Sequence, residues 1–192
     1  MAPFKAGYIS ILGRPNVGKS TLFNRILGDK IAIVTEKPQT TRNRILGIKN
    51  VEGGQFIFLD TPGLHGGGSE LNRRMVRTAI ASGQDAVILL FIIEASSPRV
   101  EKDRQMIESL KGSNGVPFLV INKIDLVKRE TLLPIIDQYQ RLHPFYMIIP
   151  ISAITGEGVD ILLDEILKVL PESPPYFPEE TITDQTERFL VS

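Results

Sequence analysis

The feature that most constrains the fold is a glycine-rich segment, GRPNVGKS, at positions 13–20. The apolar run YISIL precedes it at 8–12, and the helix-prone segment TLFNRIL follows it at 21–27. The pattern G-x-x-x-x-G-K-S between a strand and a helix is typical of a phosphate-binding loop, because glycines let successive N–H groups converge on phosphate oxygens. The alternative is an ordinary strand-to-helix turn that exposes a lysine. The predicted phosphate-binding residues are Gly13, Arg14, Pro15, Asn16, Val17, Gly18, Lys19, Ser20 and Thr21.

Composition limits the kinds of protein that this chain can be. Its 192 residues, 42% of them hydrophobic, suffice for one well-packed domain. Lys and Arg number 22, as do Asp and Glu, so global charge indicates neither nucleic acid nor an anionic membrane as a partner. The absence of cysteine excludes disulfides and thiolate zinc sites. The most apolar run, 86–93, is too short to span a bilayer, so we expect a cytoplasmic protein.

Strand and helix patterns alternate along the chain. Apolar runs without polar alternation at 86–93, 117–121 and 147–151 indicate strands covered on both faces of a mostly parallel sheet. Helical spacing is found from Ser69, over about 100–111 and 130–142, and in the stripe at 159–170. A hairpin is expected over 44–60. The predicted fold is α/β, a doubly wound, mostly parallel six-stranded sheet flanked by helices, with ligand loops at the carboxyl ends of the strands.

Lys19, Ser20 and the segment DTPG at 60–63 are expected to supply the phosphate and metal chemistry. Lys19 is expected to reach the β- and γ-phosphates, and the Ser20 hydroxyl to ligate Mg²⁺. Asp60 ends an apolar strand, where it can hold the same ion through water, and Gly63 has no Cβ to keep its N–H from a γ-phosphate. The alternative is a strand-end aspartate at a turn. Thr61 and Pro62 complete this part of the predicted site.

The segment NKID at 122–125 is expected to select the base, because it directly follows the strand at 117–121. The Asp125 carboxylate can accept hydrogen bonds from the N1–H and 2-amino groups of guanine, and adenine has no such donor pair. Asn122 is expected to brace neighbouring loops, and the stem of Lys123 to cover one face of the base. The alternative role for Asp125 is a helix N-cap. A further loop offers backbone N–H groups to a base carbonyl, at Ser152, Ala153 and Ile154.

The order of these motifs resembles that of the translation-factor-like P-loop GTPases and, more closely, of the bacterial Era family. The resemblance covers the whole chain, and its most similar segments are GRPNVGKS at 13–20, PQTTR at 38–42, DTPGLH at 60–65 and FPEETITD at 177–184. The nucleotide motifs alone are shared with tRNA-modification GTPases, and the last segment narrows the resemblance to Era. It implies a P-loop NTPase fold and a molecular switch that binds GTP, hydrolyses it to GDP and phosphate, and acts in small-subunit assembly.

The resemblance and the composition together predict two parts of the chain. Residues 1–171 are expected to form the GTP-binding domain. The proline-rich start of 172–192 is expected to be a linker, leading into the beginning of a truncated KH-type domain. The resemblance implies that this domain binds 16S rRNA of the small ribosomal subunit, and that the protein associates peripherally with the cytoplasmic face of the inner membrane.

Catalytic assistance has two candidate sources, a cation and an arginine. One of Thr40 and Thr41 is expected to complete the Mg²⁺ shell, and Thr41 is favoured. Leu64 stands where Ras-like GTPases carry a water-orienting glutamine, so unaided hydrolysis is expected to be slow. The resemblance suggests a K⁺ ion bound by Asn16, and the alternative is an arginine in cis, from Arg14, Arg42 or Arg44. The predicted catalytic residues are Lys19, Asn16, Thr41 and Gly63.

Two other functions remain open at this point. A nucleotide-gated binding module with negligible unaided turnover is favoured by the apolar side chain of Leu64. A P-loop small-molecule kinase is disfavoured by the guanine-selective segment at 122–125, and tighter binding of ATP than of GTP would support it.

Overall fold

Six strands form one central sheet. The structure, a computed structural model, describes residues 3–28, 44–60, 86–108, 110–111 and 113–178. In chain order the strands are β1 (Lys5–Gly13), β2 (Arg44–Val51), β3 (Gly54–Asp60), β4 (Ile88–Glu94), β5 (Val116–Asn122) and β6 (Met147–Pro150). Across the sheet their order is β2-β3-β1-β4-β5-β6. β2 runs antiparallel to β3, and all other neighbouring strands are parallel, as the sequence predicts.

The sheet has a hydrophobic core on each face. Successive residues of β4 point to opposite faces, so Leu90 and Ile92 belong to one core, and Phe91 and Ile93 to the other. All four side chains are fully buried. The continuous apolar run of this strand therefore reflects burial on both sides, which is the usual environment of a parallel strand.

Helices cover both faces of the sheet. They are α1 (Lys19–Leu27), α2 (Val100–Glu108), α3 (Leu132–Gln140) and α4 (Val159–Val169). α1 and α4 pack on one face, and α2 and α3 pack on the other. Two helices are shorter than predicted: α2 ends in turns after Glu108, and a 3₁₀ turn at Arg129–Thr131 precedes α3. Pro134 lies in the first turn of α3, where the lack of an N–H costs no helical hydrogen bond.

The proline-rich segment after α4 lies against the β2–β3 hairpin. Gln55, which is fully buried, donates from Nε2 to the carbonyl oxygen of Phe177 at 2.9 Å. Its Oε1 accepts the N–H groups of Tyr176 and Phe177, each at 3.0 Å. The ring of Tyr176 packs on Tyr8, with centroids 5.3 Å apart. The start of the predicted linker is thus held against the sheet by specific contacts.

Several predicted segments lie outside the described residues. These are the loop at 29–43, the loop at 61–68, the helix from Ser69 and the chain beyond 178. Within the described ranges, no helix has the length and apolar character needed to cross a membrane.

Candidate functional site

Three of the predicted nucleotide motifs, at 13–20, 122–125 and 152–154, meet at one edge of the sheet. The loops that follow β1, β5 and β6 leave the carboxyl ends of parallel strands, which lie side by side with β4 between β1 and β5. Register places Gly13 opposite Ile92, and Glu94 opposite Asn122. The motifs are therefore brought together as the strand pattern predicts, in the crevice where doubly wound sheets bind ligands.

The loop at 13–20 turns sharply at three residues with positive φ angles. Gly13, Asn16 and Gly18 have positive φ angles of 142°, 65° and 97°. A Cβ on Gly13 would overlap the carbonyl oxygen of Ile92. A Cβ on Gly18 would overlap Nδ2 of Asn122, so this glycine makes room for the segment at 122–125.

Lys19 is held inside the curve of the loop. It is 8% exposed, and its Nζ donates to the carbonyl oxygens of Gly13 at 2.8 Å and of Arg14 at 2.5 Å. An ammonium has three donors, so one remains for a phosphate oxygen. Burial, and then the positive charge of Arg14, lower the pKa of Lys19 to about 8. The group is therefore desolvated and poised to gain from a negatively charged ligand.

Of the residues predicted to bind Mg²⁺, the structure describes Ser20 and the backbone of Asp60. Ser20 lies exposed in the first turn of α1, and its hydroxyl has no hydrogen-bond partner within the described ranges. The backbone of Asp60 lies at the carboxyl end of β3, beside β1. The described residues contain no group of three or more His, Asp or Glu side chains able to hold a metal ion by themselves. The other predicted members, Thr40, Thr41, Thr61, Pro62 and Gly63, lie outside the described residues.

Asn122 joins three motifs. Its side chain is buried, its Nδ2 donates to the carbonyl oxygen of Val17 at 2.8 Å, and its Oδ1 accepts the N–H of Ala153 at 2.9 Å. The expected bracing of neighbouring loops is thus present. It also uses the Ala153 N–H, one of the donors predicted to face a base. The N–H of Ile154, in contrast, has no acceptor among the described residues.

Lys123 is bound to other parts of the chain, whereas Asp125 is unpaired among the described residues. Lys123 has a φ of 65°, and its Nζ donates to the carbonyl oxygen of Asn16 at 2.7 Å and pairs with the carboxylate of Glu94. It therefore also ties the base-selecting segment to the phosphate loop. Asp125 is exposed in a 3₁₀ turn at Ile124–Leu126 and makes no hydrogen bond or ion pair within the described part of the chain. It does not cap that turn, so its carboxylate is available to a ligand.

The Arg14 side chain turns away from the phosphate loop. Its Nε donates to Oδ1 of Asp103 on α2 at 2.6 Å, and its Nη2 to the carbonyl oxygen of Ser97 at 3.3 Å. Asp103 is fully buried and also accepts the hydroxyl of Tyr139 on α3 at 2.5 Å. Burial and the bond to Asp103 raise the pKa of Tyr139. Arg14 thus contributes its backbone to the loop, and its guanidinium is already paired, which disfavours it as a catalytic arginine in cis.

Sequence reasoning missed four residues that support the site. Asp103 and Tyr139 anchor Arg14, and Glu94 pairs with Lys123. Arg25 on α1 donates from Nε to the carbonyl oxygen of Ala153 at 2.5 Å and from Nη2 to that of Ile154. The partners of Arg25 lie 128 and 129 residues away, so no local pattern indicated them.

Comparison with known proteins identifies relatives of the same kind. A family model described as "50S ribosome-binding GTPase" matches residues 8–123. GTPase Era of Syntrophus aciditrophicus is 58% identical over 98% of this chain, and GTPase Era of Geobacter metallireducens is 50% identical over 99%. The chain spans 62% and 64% of the lengths of these two relatives.

Solved structures show the same likeness. A crystal structure of Era in complex with MgGDPNP and nucleotides 1506–1542 of 16S ribosomal RNA has a TM-score of 0.72 and 44% identity, over 94% of this chain and 62% of that one. Aquifex aeolicus Era bound to GDP.AlF4- has a TM-score of 0.72 and 42% identity, over 97% of this chain and 64% of that one. The family resemblance indicated by the sequence is therefore confirmed, and the chain belongs to the 50S ribosome-binding GTPase family, in which it is similar to the GTP-binding part of Era.

Proposed function

We propose that this chain is the GTP-binding and GTP-hydrolysing part of an Era-like molecular switch. The observation that carries the proposal is the position of Asn122, whose side chain bonds to both the phosphate loop and the loop at 152–154. A base and its phosphates could then be bound at once, with guanine beside Asp125 and the phosphates in the loop at 13–20. The membership of a GTPase family supports this assignment.

Guanine recognition rests on complementary hydrogen-bonding groups. The exposed carboxylate of Asp125 accepts from the N1–H and 2-amino groups, and the unused N–H of Ile154 donates to the O6 carbonyl. Adenine presents a 6-amino group and an unprotonated N1 at these places, so both contacts are lost and the polar groups stay unpaired. Discrimination of roughly 100-fold or more is expected from two such contacts.

The donor set fits Mg²⁺. This ion is usually bound by one or two protein oxygens together with substrate phosphates and water. The free hydroxyl of Ser20 and the position of Asp60 at the neighbouring strand end fit this coordination. Thr41, or else Thr40, is proposed as a further ligand. When bound, Mg²⁺ neutralises charge that develops on the β- and γ-phosphates. Lys19 adds a fixed positive charge at the same place, and the Gly63 N–H is proposed to act there too.

A monovalent cation is proposed to supply further positive charge. The Asn16 side chain is exposed and has no hydrogen-bond partner among the described residues, so its amide oxygen can ligate an ion such as K⁺. Arg14 is the alternative source of this charge, and it is disfavoured because its guanidinium is already bound to Asp103. An arginine finger in such a place is worth about 10³–10⁵ in rate, so a substituting ion would have a large effect.

Single-turnover release of phosphate from GTP tests the hydrolytic function. We expect turnover with GTP, little with ATP, and a clear advantage of KCl over NaCl at equal ionic strength. Asn16→Ala should lose that advantage. GTP binding without phosphate release would favour the binding module, and tighter binding of ATP than of GTP would favour a small-molecule kinase. Equal turnover in both salts, together with a fully active Asn16→Ala, would rule out the ion.

The intact protein is proposed to act in small-subunit assembly through 16S rRNA. A solved Era structure with 44% identity contains nucleotides of 16S ribosomal RNA, and this chain covers 62% of that protein. A KH-type domain following the linker is proposed as the RNA-binding part. Peripheral association with the inner membrane stays a prediction from the family resemblance.

A further inference from the structure

Arg25 binds the backbone of the loop at 152–154, which is proposed to recognise the base. Its Nε donates to the carbonyl oxygen of Ala153 at 2.5 Å, and its Nη2 donates to the carbonyl oxygen of Ile154. The two bonds come from one planar guanidinium, whose fork-like geometry fixes both acceptors relative to each other. Arg25 lies on α1, the helix that begins at the phosphate loop. One side chain therefore connects the helix that follows the phosphate loop with the loop at 152–154.

These bonds determine where the Ile154 N–H points. In a trans peptide the carbonyl and the N–H point in opposite directions. The Ala153 carbonyl is bound to Arg25 on α1, so the Ile154 N–H, which belongs to the same peptide, points away from α1. Asn122 fixes the preceding peptide through the Ala153 N–H. Two consecutive peptides are thus held by side chains, and the second leaves its donor free for a ligand.

The rest of the loop makes room for this guanidinium. Gly156 has a φ of 93°, and a Cβ there would lie 3.0 Å from Nη1 of Arg25. Ser152 accepts the N–H of Gly156 on its carbonyl at 2.8 Å and the N–H of Thr155 on its hydroxyl at 3.1 Å. The loop is closed on itself by these bonds. The Ile154 side chain is 67% exposed, so the peptide before it gains little restraint from packing.

We infer that Arg25 is a positioning residue for guanine selectivity, which it provides by holding the Ile154 N–H toward the O6 carbonyl of the base. The inference rests on the base recognition proposed above. Arg25 itself makes no contact with the nucleotide in this arrangement. Its charge also polarises the Ala153 carbonyl, which strengthens the N–H of the same peptide as a donor.

The test compares three diphosphates in competition with a fluorescent GDP analogue, using the 192-residue chain. GDP carries both recognition features, 6-thio-GDP replaces O6 with sulfur, which is a weaker acceptor, and inosine diphosphate lacks only the 2-amino group. For Arg25→Met we expect GDP affinity to fall about five- to tenfold, the loss of roughly one hydrogen bond. The preference for GDP over 6-thio-GDP should shrink toward one. The preference for GDP over inosine diphosphate, which depends on Asp125, should not change.

Two further variants make the result specific. Arg25→Lys keeps the charge but cannot donate to both carbonyls as a fork, so its affinity for GDP should be intermediate. Arg129→Met removes an arginine that pairs with Glu157 of the same loop at 3.2 Å and is 89% exposed, and both preferences should survive. Thermal unfolding of each variant, followed by circular dichroism, identifies any loss of folding. If Arg25→Met fails to fold, the Arg25→Lys comparison decides.

The outcomes separate the inference from the proposed function. A wild-type chain that prefers GDP over neither analogue would overturn the proposed base recognition, and the inference with it. A wild-type chain with both preferences, and an Arg25→Met variant that keeps both, would overturn the inference alone. If Arg25→Met loses both preferences together, Arg25 maintains the whole base site and does not position one donor.

Discussion

The proposed site has a phosphate end, at 13–20, and a base end, at 122–125 and 152–154, and the two are stabilised in different ways. At the phosphate end, Lys19 is buried, and Arg14 is anchored to a fully buried carboxylate, Asp103, between two helices. At the base end, Asp125 is exposed and unpaired within the described residues, and Ile154 is 67% exposed. The anchoring pair of the phosphate end is buried, whereas Asp125 and Ile154 lie exposed in loops, although Asn122 beside them is buried.

The difference predicts how substitutions divide between stability and selectivity. A buried ion pair loses much when one partner is removed, because the other charge stays buried without compensation. An exposed carboxylate loses little in the same way, because water solvates what remains. Removing a member of the buried Arg14–Asp103 pair should therefore destabilise the fold, and changing the exposed Asp125 should alter which nucleotide binds.

The largest effect on stability is expected for Asp103→Ala. It leaves the Arg14 guanidinium and the Tyr139 hydroxyl buried without their acceptor, which should cost about 3–5 kcal/mol of unfolding free energy. Urea denaturation measures it. Glu101→Ala is the matched control on the same helix, because the pair of Glu101 with Arg104 is exposed, and it should cost less than about 0.5 kcal/mol. Equal losses in the two variants would contradict a core-anchored phosphate end.

Asp125→Asn should change ligand choice without changing stability. An amide offers a donor where the carboxylate accepted two hydrogen bonds, so GDP affinity should fall roughly 100-fold. Xanthosine diphosphate, which has a carbonyl in place of the 2-amino group, should bind the variant better than it binds the wild type. Calorimetric titration with both nucleotides measures the exchange. A loss of more than about 1 kcal/mol in unfolding free energy would show that the base end is also structural.

Gly18→Ala tests the point where the two ends touch. A Cβ there would overlap Asn122, and the φ of 97° is strained for alanine, so a loss of about 1–3 kcal/mol in unfolding free energy is expected. Gly53→Ala is the matched control, because Gly53 has a φ of 75° but open space around its Cα. Denaturation of both variants separates backbone strain from the overlap. Equal losses of unfolding free energy would mean that the Asn122 side chain moves aside and that its contact with Gly18 does not constrain the loop.

GDP affinity should depend on the protonation of Lys19. Because burial lowers its pKa to about 8, the nucleotide-free protein loses this charge as pH rises through that value, well below the usual range for lysine. A phosphate favours the charged form, so binding takes up a proton and affinity falls above pH 8, by at most about tenfold per pH unit. Affinity between pH 7 and 9 measures this dependence. Lys19→Arg stays charged throughout, and the same slope in that variant would exclude Lys19 as its source.

The same pKa predicts the opposite trend for the empty protein. The folded chain favours neutral Lys19, so this group lowers stability while it is charged, below pH 8. Its contribution to the unfolding free energy should rise between about pH 8 and the unfolded pKa of 10.5. Nucleotide-free wild type and Lys19→Arg, unfolded in urea across this range, give the comparison.

The smallest effect is expected for Tyr139→Phe. It removes one of the two donors to Asp103 and keeps the Arg14 pair, so the unfolding free energy should fall by about 1 kcal/mol. A double-mutant cycle with Asp103→Ala measures the coupling between the two side chains. A coupling near zero would mean that Arg14 alone satisfies the carboxylate.

Local patterns predicted the sheet and the placement of the motifs. The apolar runs of β4 and β5 and the G-x-x-x-x-G-K-S motif each span only a few residues. They could therefore be recognised from the sequence before the fold was known. Helix boundaries were harder to predict, because α2 ends in turns after Glu108 and a 3₁₀ turn replaces the predicted start of α3. The docking of the chain after α4 onto Gln55 was not indicated by composition, which describes only its proline content.

The sequence by itself determined the fold class and the order of the nucleotide motifs, and it predicted that Asp125 selects guanine. The tertiary structure decided which side chains support them: Asp103 for Arg14 across 89 residues, Lys123 for Asn16 across 107, and Arg25 for Ala153 across 128. The physical reason is that a motif's chemistry depends on neighbouring residues along the chain. A hydrogen bond between distant elements exists only after the sheet has set their distance and orientation.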